Sequence, residues 1–306
     1  MELTLKRSQE IINQAITDYK PYAIVMMFSG GHDSLAAYHT ARVLDIPVTH
    51  FMHGITGTGI QETTDFARRV SQQSGLSYIE ANAGDTFEKR ILRKGFYGIG
   101  DKAHELAYHR LKAEHFRREL SRHIRHGKKG RNILLINGAR YQESERRKRI
   151  KNTPIRIDEH TKSNIWVNII NDWSALERNE FVADYERNPV YDILHRSGEC
   201  LCGTMQYPYD QTRKEVSYWF PNWGKKIDDL EKAACDRGFC WGWGEDMPDW
   251  AKAEYYRQKQ ISNGQQWLPM CQTCMAQKPL RQPNKRMNPT TNLATKTTAA
   301  SQPSLF

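Results

Sequence analysis

In the first part of the chain, continuous apolar runs alternate with segments whose apolar residues have helical spacing. Ala23 to Phe28 is an unbroken apolar run between Pro21 and a Ser-Gly-Gly turn, which is typical of a strand buried on both faces of a sheet. The next segment, Ser34 to Leu44, has its apolar residues near helical spacing. A second strand is predicted after Pro47, over Val48 to Met52. Together these segments predict a β-α-β unit.

The same alternation continues to about residue 137. A helix over Glu62 to Gln73, with Gly75 as its left-handed end, precedes a short strand over Ser77 to Glu80. A long polar helix over Ala103 to His126 then precedes another apolar strand, Asn132 to Asn137. Strands that alternate with helices predict an α/β fold with a doubly wound parallel sheet and helices on both faces.

Beyond about residue 160 the pattern becomes irregular. All six cysteines and the tryptophans lie there. We therefore expect residues 1–160 to form the α/β core and residues 161–281 to form a cysteine- and tryptophan-rich region that completes the fold. Residues 282–306 are polar and rich in Thr, Asn and Pro. Because they have too few apolar residues to offset the entropy cost of ordering, we expect a disordered tail.

The overall composition narrows the class of protein. Hydrophobic residues make up 39% of the 306 and charged residues 26%, as in globular proteins. There is neither an apolar run of about 18 residues that could span a bilayer nor a readable secretory signal, so we expect a soluble, cytoplasmic protein without membrane partners. The net charge of +10 favours polyanionic partners, among them nucleic acid.

A glycine turn, Ser29-Gly30-Gly31-His32-Asp33-Ser34, lies between the first predicted strand and the first helix. Its glycines would allow backbone N–H groups to approach an anion. The hydroxyls of Ser29 and Ser34 would add donors, and the helix dipole would favour negative charge. The six residues therefore predict a phosphate site, with His32 facing either the phosphate or solvent. The alternative is a tight turn with Asp33 or Ser34 as the helix N-cap.

The glycine turn resembles the SGGxDS motif of the PP-loop superfamily, whose members use ATP or phosphoadenylyl sulfate (PAPS). Two further segments resemble the PAPS reductase family of that superfamily: Thr58 to Thr63 (TGIQET) is similar to its TG…ET segment, and Gly138 to Arg146 (GARYQESER) to its G-x-R-x-x-E-S-x-x-R segment. The resemblance covers about residues 20 to 205. It implies that three loops converge on a nucleotide at the carboxyl edge of the sheet.

The resemblance also implies roles for individual residues. Thr58, Gly59 and Glu62 would lie near the nucleotide. Arg140 and Arg146 would neutralise phosphate oxygens, because guanidinium groups bind phosphate in a planar fork. In-line displacement at phosphorus needs mainly positioning and charge neutralisation, so Asp33, as a contact for Mg²⁺, and Arg140 are the candidate catalytic residues.

The six cysteines form three close pairs. In a reducing compartment such pairs are more often metal ligands than disulfides, and we predict four ligands: Cys200, Cys202, Cys271 and Cys274. A [4Fe-4S] cluster and a structural zinc both accept four thiolates, and resemblance to cluster-bearing PP-loop proteins favours the cluster. Cys235 and Cys240 could replace one pair or pack as small hydrophobes beside Trp241 and Trp243.

The resemblance implies an enzyme in which an acceptor oxygen is adenylylated by ATP, pyrophosphate leaves, and sulfur then displaces AMP. The basic charge favours nucleic acid as the acceptor, as in DNA phosphorothioation, with a sulfur-donor protein. One alternative is a PAPS reductase or related sulfonucleotide enzyme, but its Glu-Cys-Gly-Leu-His motif is replaced here by a different ending. A tRNA-thiolating enzyme and a nucleotide-sensing, DNA-binding regulator are further alternatives.

That ending, Gln302-Pro303-Ser304-Leu305-Phe306, resembles the pentapeptide Q-L-[S/D]-L-F with which bacterial proteins dock on the DNA polymerase sliding clamp, except at Pro303. Leu305 and Phe306 would be apolar anchors in a hydrophobic pocket, and Gln302 would fix the orientation by hydrogen bonds. The alternatives are packing of these residues on the enzyme and a chance match. The motif predicts the sliding clamp as a partner.

Overall fold

The computed structural model describes residues 2–128, 130–144, 147–148, 151–205 and 209–262. The chain divides into two compact units, Met1–Met247 and Pro248–Phe306. All the strands and ten of the α-helices described below belong to the first unit, and in the second unit one helix is described.

A six-stranded sheet forms the centre of the first unit. Its strands are β1 (Ala23–Phe28), β2 (His50–Ile55), β3 (Ser77–Asn82), β4 (Ile133–Ile136), β5 (Ile155–Ile157) and β6 (Asn164–Val167). Their order is β3-β2-β1-β4-β6-β5, and all neighbours are parallel except β5, which runs antiparallel to β6 at the edge. The predicted α/β fold with a mostly parallel, doubly wound sheet is therefore confirmed, and the antiparallel edge strand is an addition to it.

Helices connect and cover the strands. They are α1 (Glu2–Tyr19), α2 (His32–Val43), α3 (Gln61–Ser74), α4 (Thr86–Lys94), α5 (Asp101–Tyr108), α6 (Glu114–Leu120), α7 (Ala175–Val182), α8 (Pro189–Leu194), α9 (Tyr209–Trp219), α10 (Pro221–Cys235) and, in the second unit, α11 (Asp249–Ser262). Two π-helical turns, His109–Ala113 and Ser121–Arg125, join α5 to α6 and extend α6. None of the described helices combines the length and apolar character needed to cross a bilayer.

Side chains of β1 alternate between the two faces of the sheet and contribute to a core on each. Ile24, Met26 and Phe28 pack against residues of α1, α2, α3 and α7. Ala23, Val25 and Met27 pack on the opposite face against Leu120 and Ile124, at the end of α6 and in the turn after it. Because both faces are covered, every residue of β1 is buried. This burial explains the unbroken apolar run.

The predicted elements agree with the observed ones to within a few residues. Gly75 ends α3 in the left-handed conformation, with a φ of 70°. The second strand starts two residues later than predicted, since its parallel pairing with β1 begins at His50. The predicted boundary at residue 160 falls between β5 and β6 of one sheet, inside the compact unit that extends to Met247.

Candidate functional site

The strand order reverses between β1 and β4, so the carboxyl ends of these two strands mark the switch point of the sheet. In open α/β sheets this is where ligands bind. The loops after these strands touch: a Cβ atom at Gly138, after β4, would overlap the backbone of Asp33 and Ser34, after β1. Glycine at position 138 therefore allows the second loop to close directly onto the glycine turn.

Two serine hydroxyls hold the glycine turn, Ser29–Ser34, in shape. Ser34 Oγ donates to the carbonyl oxygen of Gly31 at 2.9 Å, and it lies 3.1 Å from Ser29 Oγ. Gly30 adopts a φ of 77°, in the left-handed region that favours glycine. Gly31 is the N-cap of α2 and provides no side chain to cap the helix. The amides of the first helical turn are thus left for an anion.

An ion-pair cluster lies beneath this turn. Asp33 Oδ1 accepts from Arg140 Nε at 2.8 Å and from Arg178 Nη1 at 2.7 Å. Both arginine side chains are at least 90% buried, and Arg140 also donates to the carbonyl oxygen of Trp173 at 3.3 Å. Two guanidinium groups with one carboxylate leave a net positive charge at the first turn of α2, which favours a bound anion.

The cluster gives two of the predicted site residues protein partners. Arg140 donates to Asp33 through Nε at 2.8 Å and through Nη2 at 3.5 Å. The phosphate contact predicted for Arg140 and the magnesium contact predicted for Asp33 stay predictions.

His32 is the first residue of α2, and its side chain is buried against α8. Its ring stacks on Tyr191 with a centroid distance of 3.6 Å and is 8% exposed. Burial and then the charge of Arg178 lower the pKa of His32, so the ring is neutral at pH 7. Its Nε2 atom is buried and makes no hydrogen bond within the described part of the chain. A neutral histidine with a spare ring nitrogen next to an anion cradle suits a further contact to a nucleotide.

The segment Ser197–Cys202, here called the cysteine strap, connects the glycine turn with the loop after β2. A Cβ at Gly31 would be in contact with Ser197 Cβ, at 3.4 Å. At the other end, the Leu201 amide donates to Thr58 Oγ1 at 3.0 Å, and the Ile60 amide donates to the Gly198 carbonyl oxygen at 2.8 Å.

Predicted nucleotide-binding residues after β2 therefore contact the strap. Gly59 packs on the backbone of Gly198 and Glu199, and Thr58 Oγ1 lies 3.9 Å from Cys200 Sγ. Glu62 is exposed on the first turn of α3. Arg146 lies outside the described residues.

Cys200 and Cys202 lie side by side at the end of the strap. Their thiols are hydrogen-bonded to each other, and Cys202 Sγ lies 3.3 Å from Thr204 Oγ1. The hydrogen bond from Cys200, followed by those from Thr204, lowers the pKa of Cys202 to about 6. Lys112 Nζ contributes positive charge and forms an ion pair with Glu199 Oε2 at 2.5 Å. The hydrogen bond and burial raise the pKa of Cys200, so the thiolate form is favoured at Cys202 rather than at Cys200.

A cleft of about 100 Å³ opens beside the two thiols. Its walls combine the thiols with side chains of α5, of the π-helical turn after it and of the residues after the strap: His104, Tyr108, Lys112, Cys200, Cys202, Thr204 and Met205. The cleft has room for a small group, and its polar wall contains an amine, an imidazole and hydroxyls as well as the sulfurs.

Buried tryptophans fix the strap from the side of α10. Trp243 Nε1 donates to the carbonyl oxygen of Leu201, between the two cysteines, at 2.7 Å. Trp223 Nε1 donates to the carbonyl oxygen of Thr58 at 3.0 Å, and the two indoles meet edge to face at 5.4 Å. Both ends of the thiol site are therefore anchored to the same aromatic pair.

Cys235 and Cys240 form a disulfide just before Trp241 and Trp243 in the chain. Sequence reasoning left them as alternative ligands or as buried hydrophobes. The structure instead joins them to each other, and both are exposed. They accordingly do not complete a ligand set with Cys200 and Cys202.

The predicted metal site can be judged only in part. Cys200 and Cys202 are adjacent, so both sulfurs could face one iron or zinc, as the prediction requires. Cys271 and Cys274 lie outside the described residues. Within the described ranges, no group of three His, Cys, Asp or Glu side chains is arranged to hold a metal ion.

The family model of the phosphoadenosine phosphosulfate reductase domain matches residues 23–201. This match covers more than half of the chain and includes the glycine turn, the loops after β2 and β4, and the strap as far as Leu201. The chain belongs to this family. It is a PP-loop enzyme of the nucleotide-dependent type, and the resemblance predicted from the motifs is confirmed.

Several solved structures are similar at low identity. PAPS reductase from Candida auris, in a phosphate complex, is 17% identical over 60% of this chain and 83% of its own, with a TM-score of 0.42. An NH3-dependent NAD synthetase from Campylobacter jejuni is 13% identical over 78% and 95%, with a TM-score of 0.40. The U34-tRNA thiolase NcsA from Methanococcus maripaludis, with its [4Fe-4S] cluster, is 14% identical over 78% of each chain, with a TM-score of 0.38.

None of the curated proteins matches this chain significantly. The assignment to the family therefore rests on the family model.

The sequence-based prediction missed, among other site residues, the charged Arg178, Lys112 and Glu199. Arg178 is 145 positions from Asp33, and Lys112 is 87 positions from Glu199, so no local motif joins the partners. The capping pattern Ser174-x-x-Glu177 predicts the start of the helix that carries Arg178. It does not predict that Arg178 binds the carboxylate of Asp33.

Proposed function

We propose that this enzyme binds an adenine nucleotide with its phosphates on the glycine turn and uses it for sulfur transfer at Cys200 and Cys202, with nucleic acid as the acceptor. One observation carries the proposal: the cysteine strap lies against the glycine turn at Ser197 and ends in the hydrogen-bonded thiol pair. Nucleotide and sulfur chemistry would thus share one crevice.

The nucleotide half follows from the turn. Amides at the start of α2 would bind phosphate oxygens, the Asp33 cluster would add positive charge, and His32 would add one hydrogen bond. An acceptor oxygen would then attack the α-phosphorus of ATP, with pyrophosphate leaving along the same line. A positioned, charge-stabilised phosphate is the main requirement of such a displacement.

The sulfur half follows from the thiol pair. A sulfur-donor protein would load one thiol as a persulfide, whose outer sulfur attacks the adenylylated acceptor and releases AMP. The second thiol would then attack the inner sulfur, leaving a Cys200–Cys202 disulfide and a thiolated acceptor. An external dithiol reduces that disulfide. Lys112 would stabilise the attacking thiolate in each step.

A [4Fe-4S] cluster held by Cys200, Cys202, Cys271 and Cys274, with structural zinc as its alternative, is the other proposed use of these sulfurs, because ligated thiolates would not form the persulfide and the disulfide. When bound, the cluster would supply iron that binds an inorganic sulfur species, whereas zinc would only organise the region. Iron and zinc analysis of anaerobically purified protein separates the two. Metal-free protein with full sulfur transfer would exclude both in favour of the persulfide scheme.

Nucleic acid is proposed as the acceptor because of charge. The chain has 45 lysines and arginines against 35 acidic residues. An excess of this size favours association with a polyanion over a small neutral acceptor. The modification would resemble DNA phosphorothioation.

The second candidate is PAPS reduction, and the thiol pair favours it as well. A thiolate would attack the sulfur of the sulfonucleotide and form an S-sulfocysteine while the nucleotide phosphate leaves. The second thiol would displace sulfite and form a disulfide. The two thiols thereby supply both electrons.

Incubation of the protein with ATP and nucleic acid, or with PAPS, followed by identification of the products, tests both candidates. Pyrophosphate from ATP supports adenylylation of the acceptor, the first step of the proposed sulfur transfer, sulfite from PAPS supports reduction, and binding without either product would mean a nucleotide sensor. Cys200→Ser with Cys202→Ser should abolish sulfur chemistry. The matched control is Cys235→Ser with Cys240→Ser, which removes as many cysteines outside the crevice.

Docking on the sliding clamp through Gln302–Phe306 stays a separate proposal, since these residues lie outside the described part. Binding of a peptide spanning Ala294 to Phe306 to the clamp should be lost when Leu305 and Phe306 become Ala. Equal, negligible binding of both peptides would count against it.

A further inference from the structure

Two aromatic side chains project from the last turn of α9. Tyr218 is 77% exposed and Trp219 is 53% exposed, although both are large and apolar. Their rings meet edge to face at 5.1 Å, and this exposed pair is here called the aromatic platform. Covering exposed aromatic rings with a flat partner is energetically favourable, and exposed apolar surface of this kind often marks a binding site.

The platform is connected to the nucleotide crevice. On the same helix, Glu215 lies one turn before it, and Glu215 Oε2 is 3.8 Å from Arg196 Nη2. Arg196 immediately precedes Ser197, the strap residue beside Gly31. A path of neighbouring residues thus leads from the platform through Arg196 to the glycine turn.

Arg196 is incompletely satisfied. Its contact with Glu215 is longer than a hydrogen bond, and its Nε atom is buried without a hydrogen-bond partner in the described part of the chain. The side chain keeps 32% of its surface exposed, so the guanidinium can still meet a ligand. Burial also lowers the pKa of Arg196, as expected for a cation without sufficient counter-charge. A phosphate diester would supply that charge.

We infer that the platform and Arg196 bind single-stranded nucleic acid, which rests on the nucleic-acid acceptor of the proposed function. Because the two rings are perpendicular, a base would stack on the face of one ring and contact the edge of the other. Its neighbouring phosphate would pair with Arg196, and the strand would lead to the glycine turn. Single strands fit this surface because their bases expose their faces for stacking. The net charge of the chain, +10, favours a polyanion over an apolar protein surface.

Binding of labelled single-stranded DNA and RNA of about twelve nucleotides, followed by fluorescence anisotropy without ATP, tests this inference. Tyr218→Ala with Trp219→Ala should weaken binding by roughly tenfold or more, whereas Trp219→Phe should keep most of the affinity, because it keeps a stacking ring. Arg196→Gln should reduce the salt dependence of log K by about one unit, since one phosphate contact is lost. The double alanine variant should leave that slope unchanged.

Tyr22→Ala is the matched control. Tyr22 is 54% exposed and precedes β1, at the opposite edge of the sheet from the glycine turn. Its loss should not change the affinity. The inference is overturned if the double alanine variant binds as the wild type does, or loses no more affinity than Tyr22→Ala. It is also overturned if the double variant only dissociates a self-associated form and keeps its affinity for nucleic acid.

Failure of the proposed nucleotide function can be distinguished from failure of single-strand binding. Gly30→Ala should weaken nucleotide binding while it keeps the affinity for single strands, because Gly30 is in the turn and not on the platform. Protein that binds single strands but forms no product from ATP or PAPS would sink the proposed function alone.

Discussion

At the scale of single residues, Gly30 is the most constrained position of the glycine turn. Its φ is 77°, and a Cβ there would lie 2.9 Å from Thr63 Cγ2. We expect Gly30→Ala to cost about 1–2 kcal/mol of unfolding free energy and to weaken nucleotide binding, because an L-residue is strained in this conformation.

The matched variant is Gly31→Ala. Gly31 has a φ of −86°, which any residue adopts, and its added Cβ would reach Ser197 only at 3.4 Å. Urea unfolding and calorimetric titration with ATP measure both variants. Equal unfolding free energies for the two would show that the turn is not strained at Gly30.

Asp33 is the second decisive residue, because it is the shared counter-ion of Arg140 and Arg178. Asp33→Asn leaves both buried guanidinium groups without a full negative charge. Loss of one partner from a buried ion pair costs about 3–5 kcal/mol, and we expect a loss of that order in chemical denaturation.

The control for Asp33 is Glu186→Gln, which breaks an exposed pair with Arg69. Those side chains are 47% and 48% exposed, so the loss should remain under about 1 kcal/mol. If Asp33→Asn destabilised the protein no more than Glu186→Gln, the cluster would not stabilise the turn.

At the scale of elements, α7 links a local signal to the site. Ser174 and Glu177 form a complete capping box at its start, and the next residue, Arg178, reaches Asp33. Ser174→Ala should lower the unfolding free energy by about 1 kcal/mol. Because the first turn of α7 carries Arg178, the same change should also weaken ATP binding.

Leu176→Ala in the same turn is the control, since Leu176 is 67% exposed. Thermal unfolding and ATP titration of both variants check the prediction. Unchanged ATP affinity in Ser174→Ala would mean that Arg178 keeps its position without the cap.

The secondary structure was predicted best where both faces of a strand are buried or where a helix ends at a glycine. The covered strands β1 and β4 are continuous apolar runs, and α3 has a clear glycine end, so their sequences indicate their structure. The strand β5 escaped notice because it is three residues long at an exposed edge, with only partial burial. The π-helical turns have no distinct hydrophobic period and were likewise missed.

At the scale of the whole molecule, buried histidines predict sensitivity to acid. His39 stacks on Tyr185 at 3.5 Å, and burial, followed by the charge of Arg42, lowers its pKa to about 4. The unfolded chain titrates near 6.5. Stability from neutral His39 is therefore fully present above about pH 6.5 and is lost as the pH falls towards about 4.

His39→Phe keeps the ring stack and removes the titration. Its unfolding free energy should fall less steeply between pH 6.5 and 4 than that of the wild type, by at most about 3 kcal/mol. Urea unfolding at several pH values measures the difference. His160→Phe, at an exposed position, is the control. Parallel curves for His39→Phe and the wild type would contradict the prediction.

The sequence alone determined the alternation of strands and helices, the glycine turn between β1 and α2, and the family. These features depend on residues that are close in the chain. The period of their apolar residues and the spacing of their motifs can be recognised without the fold. Only the tertiary structure decided which partners the site residues meet. Asp33 binds two arginines from distant loops, and the cysteine strap lies against Gly31 and Thr58 because the sheet brings its carboxyl ends to one edge. Such contacts join residues more than one hundred positions apart, and their partners are chosen by packing and charge in three dimensions.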